Sequence, residues 1–193
     1  AFPTEAASIR AKAKKLGVLD WVSWDFQTHD LIEVLLTKQG TTIAAEMGLG
    51  KTRTALALSM MGGKRNLICV EPYLVDELFI EMDGLDIDES LYQVITKPEH
   101  LQDLKKINII TYNRLRANLP GTKKSYASKL RRRIHTLVAD EGSLLANPNS
   151  QQSRSLLQVS AKKKFILDGT PIANYARSIR PLLNFTSGDS TAL

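Results

Sequence analysis

Short apolar runs alternate along the chain with longer segments that mix apolar and charged positions. Several of these runs are continuous in Val, Ile and Leu, with no polar residue at alternate positions. This pattern is typical of strands that are covered on both faces, as in a parallel sheet. It predicts six strands, at 41–46, 66–71, 92–96, 107–112, 136–140 and 164–169.

The segments around these runs have the length and the end signals of helices. Gly62 and Gly63 end one of them, and Pro98 suits the first turn of another. Alternation of strands and helices in this order predicts an α/β fold with a mostly parallel, helix-covered sheet. The predicted helices lie at 27–37, 51–61, 73–82, 98–104, 125–133, 150–159 and 175–184.

Composition indicates the setting of the protein more than its function. The 193 residues carry a net charge of +6, which is compatible with a polyanionic partner without requiring one. The single cysteine, Cys69, lies in an apolar run and is expected to be buried. With no disulfide framework, an intracellular location, cytoplasmic or nuclear, is expected. No apolar run approaches the ~20 residues of a membrane span, so no membrane partner is expected.

The stretch AAEMGLGKTRTALAL, at 44–58, combines a strand end, two glycines, a lysine, a threonine and a helix. Glycines let backbone N–H groups turn inward toward phosphate oxygens, and the helix N-terminus adds partial positive charge. Lys51 can reach the β- and γ-phosphates, and the Thr52 hydroxyl can ligate Mg²⁺. Ala45 stands where the strict motif has glycine. The stretch predicts a phosphate-binding loop, the alternative being a glycine-rich turn with a surface lysine.

A second candidate site is an acidic pair at the end of the apolar strand predicted at 136–140. Asp140 is predicted to hold Mg²⁺, and Glu141 to orient and deprotonate an attacking water. Sites in parallel α/β sheets lie at the carboxyl ends of strands, which is where this pair stands. The alternative is a pair of solvated turn residues.

Six segments, taken in order from about Trp24 to Phe185, resemble the first ATPase lobe of Swi/Snf-type DNA translocases in helicase superfamily 2, which are DEAD/DEAH-like. The resemblance implies a RecA-like P-loop NTPase fold, a three-layer sandwich, over 24–193, preceded by a leader or helix at 1–23. The segments are WDFQTHDLIEVLL, AAEMGLGKT, CVEPYLVDEL, NIITYNRL, VADEGSLLANPNSQQSRSL and ILDGTPIANYARSIRPLLNF.

The resemblance also implies roles for individual residues. Gln27 would contact adenine, and Tyr112 would face nucleic acid, with a core position as the alternative for Tyr112. Two residues depart from the family pattern: Ser143 replaces a common His, and Asp168 replaces Thr or Ser. In the family, both positions couple the state of the bound ATP to the binding of nucleic acid. The other expected nucleotide contacts are Met47, Gly48, Leu49, Gly50, Lys51, Thr52 and Arg53. The other expected nucleic-acid contacts are Pro72, Tyr73, Thr111, Gly169, Thr170 and Pro171.

The implied activity is Mg²⁺-dependent ATP hydrolysis coupled to movement on nucleic acid, expected to be duplex DNA. The sequence ends where the family's first lobe ends, so a second RecA-like lobe is expected as a partner that supplies arginines to the site. Two alternatives remain open at this point. One is a DEAD/DEAH-type helicase on RNA or single strands, or a restriction-system motor; the other is a nucleotide-binding module that does not hydrolyse ATP.

Overall fold

Six parallel strands form the central sheet of the described part of the chain, in the order β1–β6–β5–β2–β4–β3. All six predicted strands are confirmed, although β5 and β6 begin earlier than predicted. The strands are β1 Gly40–Ala44, β2 Asn66–Val70, β3 Tyr92–Val94, β4 Ile107–Thr111, β5 Ile134–Asp140 and β6 Ala161–Asp168. The structure, a computed structural model, describes residues 2–22, 25–44, 48–140, 147, 149–169 and 185–186.

The helices follow the predicted alternation with two differences. The segment predicted as a helix at 98–104 is a short 3-10 turn, Pro98–Leu101, and Tyr112–Arg116 forms a helix where a strand end was predicted. The predicted helix at 175–184 lies outside the described residues. The helices are α1 Phe2–Lys15, α2 Val18–Trp21, α3 Asp25–Leu36, α4 Lys51–Met61, α5 Leu74–Gly84, α6 Tyr112–Arg116, α7 Tyr126–Leu130 and α8 Gln151–Gln158.

The sheet is covered on both faces because alternate residues of each strand point to opposite sides. In β2, Ile68 packs into one apolar cluster together with helices α1 to α5. Its neighbours Leu67 and Cys69 pack into a second cluster with α6, α7 and α8. The layers are therefore helix, sheet and helix, which confirms the predicted three-layer sandwich.

Cys69 is buried, as predicted. Burial raises the pKa of its thiol well above the usual value, and the nearby Glu71 raises it further. The thiol therefore packs as a small neutral side chain. None of the helices in the described ranges is long and apolar enough to cross a membrane.

Two buried asparagines fix the end of α4 to the amino edge of the sheet. The Asn66 amide nitrogen donates to the backbone oxygens of Ser59, Gly63 and Lys106 at 2.7 to 2.9 Å. The Asn108 side-chain amide nitrogen donates to the backbone oxygen of Asn66 at 2.9 Å. Hydrogen bonds donated by buried side-chain amides hold a helix in one register against the sheet. This anchoring directs the other end of α4, its N-terminus, to the carboxyl edge of the sheet.

The N-terminal helices pack on the first apolar cluster. Val18, Trp21 and Val22 are buried there, and the Lys12 ammonium donates to the Met61 oxygen at the end of α4 across 2.7 Å. A lysine at a helix C-terminus is favourable because carbonyl groups there carry partial negative charge. The predicted boundary between 1–23 and 24–193 stays a prediction.

Candidate nucleotide and nucleic-acid site

Three adjacent strands bring the predicted site residues to one edge of the sheet. β6 lies between β1 and β5, and the register pairs Ala44 with Asp168 and Leu167 with Asp140. The segment after Ala44 and the carboxylate of Asp140 therefore start from the same carboxyl edge, separated by one strand. This is the edge at which parallel α/β sheets bind ligands.

The glycine loop has the backbone that a phosphate cradle needs. Gly48 and Gly50 have φ angles of 82° and 72°, in the left-handed region that favours glycine. Gly50 is followed at once by Lys51, the first residue of the 11-residue helix α4. A Cβ atom added at Gly50 would lie 2.5 Å from Nε2 of Gln27, so the Gln27 side chain would have to shift to admit one. The loop and helix therefore fit a phosphate chain; Met47 lies outside the described residues.

Gln27 is held against this loop rather than in solvent. Its side chain is buried, and its amide nitrogen donates to the Leu49 oxygen across 2.7 Å. At the other side of the turn, the Gly50 oxygen accepts from the backbone nitrogen and the hydroxyl of Thr54, at 3.0 and 3.1 Å. Gln27 therefore lies against the phosphate loop, and its contact with adenine stays a prediction.

Both residues predicted to hold Mg²⁺ carry a hard oxygen group. Thr52 is the second residue of α4, and Asp140 is the buried last residue of β5. A hydroxyl and a carboxylate fit Mg²⁺, which proteins usually hold through one or two side chains together with substrate phosphates. Glu141, the predicted water-positioning residue, lies outside the described residues.

The two residues that follow Lys51 both contact helix α5. The Thr52 hydroxyl donates to Oε1 of Glu77 across 3.2 Å. Nε of Arg53 donates to Oε2 of Glu81 across 2.7 Å, in an ion pair. Arg53 is thus directed toward α5, and its predicted contact with nucleotide stays a prediction. The pattern of the phosphate loop gave no indication of these acidic partners.

Four of the residues predicted to contact nucleic acid lie at, or shortly after, the ends of three strands at the same edge of the sheet. Pro72 and Tyr73 follow β2, and both are exposed, Tyr73 to 65%. Thr111 ends β4, where its hydroxyl accepts from the backbone nitrogen of Arg114 at 3.3 Å and starts α6. Gly169 follows β6. Thr170 and Pro171 lie outside the described residues.

Tyr112 does not suit the predicted contact with nucleic acid. Its side chain is fully buried, in the cluster beneath α6, α7 and α8. Its hydroxyl donates to the backbone oxygen of Asp140 across 2.5 Å. A buried ring cannot face a strand in solvent, so the core alternative is the correct one. Tyr112 instead ties the start of α6 to the strand end that carries the metal-binding candidate.

Of the two coupling positions, Asp168 is described and Ser143 is outside the described residues. Asp168 is 3% exposed and ends β6, beside Ala44 of β1. It therefore lies between the strand that leads to the phosphate loop and the strand that ends in Asp140. Its role in coupling stays a prediction.

Residues 79–191 match the family model of the SNF2-related domain. The chain belongs to the SNF2-related family. The matched region begins inside α5 and includes the end of β5 and the segment that follows β6. The resemblance to the Swi/Snf-type family is therefore confirmed.

Individual relatives agree with this assignment. Protein CHROMATIN REMODELING 24 of Arabidopsis thaliana is 26% identical over 87% of this chain and 16% of its own length. A Danio rerio SWI/SNF-related regulator of chromatin, subfamily A containing DEAD/H box 1A, is 33% identical over 93% of this chain and 19% of its own length. The chain thus spans less than a fifth of these curated relatives.

The solved structure of the Sulfolobus solfataricus SWI2/SNF2 ATPase core in complex with dsDNA has the same fold. It superposes with a TM-score of 0.69 and 18% sequence identity, over 86% of this chain and 36% of that one. The solved structure of the Sulfolobus solfataricus SWI2/SNF2 ATPase core domain gives a TM-score of 0.65 over 83% of this chain. The predicted RecA-like fold is confirmed by this likeness.

Proposed function

We propose that this chain is the ATP-binding and ATP-hydrolysing lobe of a SNF2-type DNA translocase, which couples hydrolysis to movement along duplex DNA. The observation that carries the proposal is the phosphate-loop geometry at the N-terminus of α4, on the same sheet edge as the buried Asp140. Membership of the SNF2-related family supports it, as do relatives named for chromatin remodelling. A structural neighbour was solved with double-stranded DNA, which favours duplex DNA as the partner.

The roles proposed for the nucleotide residues follow from their chemistry. Backbone N–H groups from Gly48 to Lys51 would bind phosphate oxygens at the positive end of α4, and the Lys51 ammonium would bind the terminal phosphates. Thr52 and Asp140 would hold Mg²⁺, which supplies charge neutralisation at those phosphates when bound. Glu141 would take a proton from the attacking water.

Nucleic acid would lie across the strand ends that carry Pro72, Tyr73, Thr111 and Gly169, together with Thr170 and Pro171. These residues offer backbone N–H groups, a hydroxyl and one exposed ring, which suit a sugar-phosphate backbone better than base edges. Asp168 and Ser143 would transmit ATP state to this surface.

A second RecA-like lobe is part of the proposal. Arginines that stabilise the transition state of phosphoryl transfer are worth about 10³–10⁵ in rate in related enzymes, and they come from a facing domain or partner. A partly assembled site should therefore bind ATP better than it hydrolyses it. An intracellular location, in cytoplasm or nucleus, completes the proposal and agrees with relatives named for chromatin.

The purified 193-residue chain tests this proposal. We expect weak, saturable ATP binding, turnover far below the ~1–10³ s⁻¹ of typical enzymes, and little response to duplex DNA. Binding to DNA should be mainly electrostatic, so it should fall steeply between low and moderate salt. Calorimetry, steady-state ATPase assays and DNA titrations measure the three quantities.

Other outcomes would favour the rival functions. Stimulation by single strands or RNA alone would favour a helicase of the DEAD/DEAH type or a restriction-system motor. ATP binding that never leads to hydrolysis, even with a second lobe present, would favour a nucleotide-binding module. Robust DNA-stimulated turnover by the chain alone would contradict the need for a second lobe.

A further inference from the structure

Helix α5 presents two carboxylates to the first turn of α4. Glu77 accepts the hydrogen bond from the Thr52 hydroxyl, and Glu81 pairs with Arg53. Residues four apart lie on the same side of a helix, so both carboxylates face the same neighbour. Thr52 and Arg53 directly follow the lysine of the phosphate loop. The contact therefore joins α5 to the part of α4 that would touch Mg²⁺.

The hydrogen bond to Glu77 sets how the Thr52 hydroxyl can act as a ligand. A hydroxyl group has one hydrogen to donate and two lone pairs to offer. When the hydrogen points at a carboxylate, the lone pairs point elsewhere and remain available to a cation. A carboxylate beside the hydroxyl also adds negative charge close to that cation, and outer partners of this kind orient metal ligands.

We propose that Glu77 is a positioning residue for the Mg²⁺ that accompanies the nucleotide, because it orients the Thr52 hydroxyl and holds a negative charge beside it. This inference rests on the proposed function and adds a residue to its metal site. Glu77 acts through Thr52, so its effect should appear in the Mg²⁺ dependence of nucleotide binding rather than in binding as such.

A purely structural role for Glu77 is the main alternative. The packing of α5 distinguishes this structural role from the positioning role. Leu78 and Met82 are buried in the first apolar cluster and anchor the helix. The hydrogen bond from Thr52 to Glu77 is exposed, and exposed polar pairs contribute little to stability, about 0–1 kcal/mol for ion pairs. Removal of the Glu77 carboxylate should therefore leave α5 in its position.

The test compares three variants of the chain, with a fluorescent ATP analogue as the probe. Glu77→Ala removes the acceptor, and Glu77→Gln keeps an oxygen acceptor without the charge. Asp76→Ala is the matched control, because it removes an exposed carboxylate from the same first turn of α5. Analogue affinity is measured in EDTA and then across a titration of free Mg²⁺.

Mg²⁺ should enhance analogue binding, and we expect Glu77→Ala to raise the Mg²⁺ concentration that gives half of this enhancement about tenfold. The affinity for the analogue in EDTA should stay unchanged. Glu77→Gln should give a smaller shift, and Asp76→Ala none. Equal losses with and without Mg²⁺, or equal shifts for Asp76→Ala and Glu77→Ala, would overturn the inference while leaving the proposed function intact. If the unsubstituted chain bound the analogue without any effect of Mg²⁺, the metal site itself would be wrong and both would fall.

Discussion

Replacement of Lys51 by alanine is expected to weaken ATP binding at least about thirtyfold without unfolding the protein. Lys51 is half-buried at the N-terminus of α4, where its ammonium would bind the terminal phosphates. Loss of one partner from a hydrogen-bonded charge pair costs about 2–5 kcal/mol, and each 1.4 kcal/mol is tenfold in affinity. Titration with a fluorescent ATP analogue in the presence of Mg²⁺ measures the loss.

The fold should survive because alanine is the best helix former and Lys51 contributes charge rather than apolar packing. Thermal unfolding of the variant should therefore stay within a few degrees of the unsubstituted chain. Lys64→Ala is the control: it removes the same charge from an exposed position beyond the other end of α4. Unchanged ATP affinity in Lys51→Ala, or an equal loss in Lys64→Ala, would contradict the phosphate-loop assignment.

Replacement of Gly40 by alanine is expected to cost about 2–6 kcal/mol of the free energy of unfolding. Gly40 begins β1 opposite Lys164 of β6, with a φ angle of 142°. A Cβ atom built there would lie 1.8 Å from the backbone oxygen of Lys164. Both terms, the steric overlap and the unfavourable φ, cost about 1–3 kcal/mol each. Urea unfolding at equilibrium measures the change.

Gly84→Ala is the matched control for this substitution. Gly84 ends α5, and a Cβ atom there would meet nothing within 4 Å. Alanine costs less conformational entropy than glycine in a helix, so the control should be neutral or more stable by about 0.5–1 kcal/mol. Similar stability of the two variants would contradict the close approach of β1 to β6. It would also weaken the argument for the strand that leads to the phosphate loop.

The strands and α4 could be predicted because their signals are local. Continuous Val, Ile and Leu runs indicate buried parallel strands, and two glycines mark the end of α4. Helix α6 was missed because the apolar run at 107–112 continues into Tyr112, whereas the Thr111 hydroxyl accepts the hydrogen bond that starts the helix. Insertion of β6 between β1 and β5 follows from chain topology, which local patterns do not encode.

The same distinction holds for the candidate site. The phosphate loop and Asp140 lie in contiguous stretches whose residue types suffice to predict their chemistry. The bonds from Gln27 to Leu49, from Thr52 to Glu77 and from Tyr112 to Asp140 join residues 22, 25 and 28 positions apart. Such partners are fixed by packing between elements rather than by any local pattern. For this reason Tyr112 was predicted to face nucleic acid, and Glu77 was not predicted to take part.

The central claim is that this lobe belongs to an ATP-driven motor on duplex DNA. The most direct test is steady-state ATP hydrolysis by a protein that joins this chain to a second RecA-like lobe. Rates are measured without nucleic acid, with duplex DNA and with a single strand of the same length. We expect duplex DNA to raise turnover at least about tenfold, into the ~1–10³ s⁻¹ range of enzymes, and Lys51→Ala to abolish it. Absence of hydrolysis under all three conditions, or stimulation by the single strand alone, would contradict the claim.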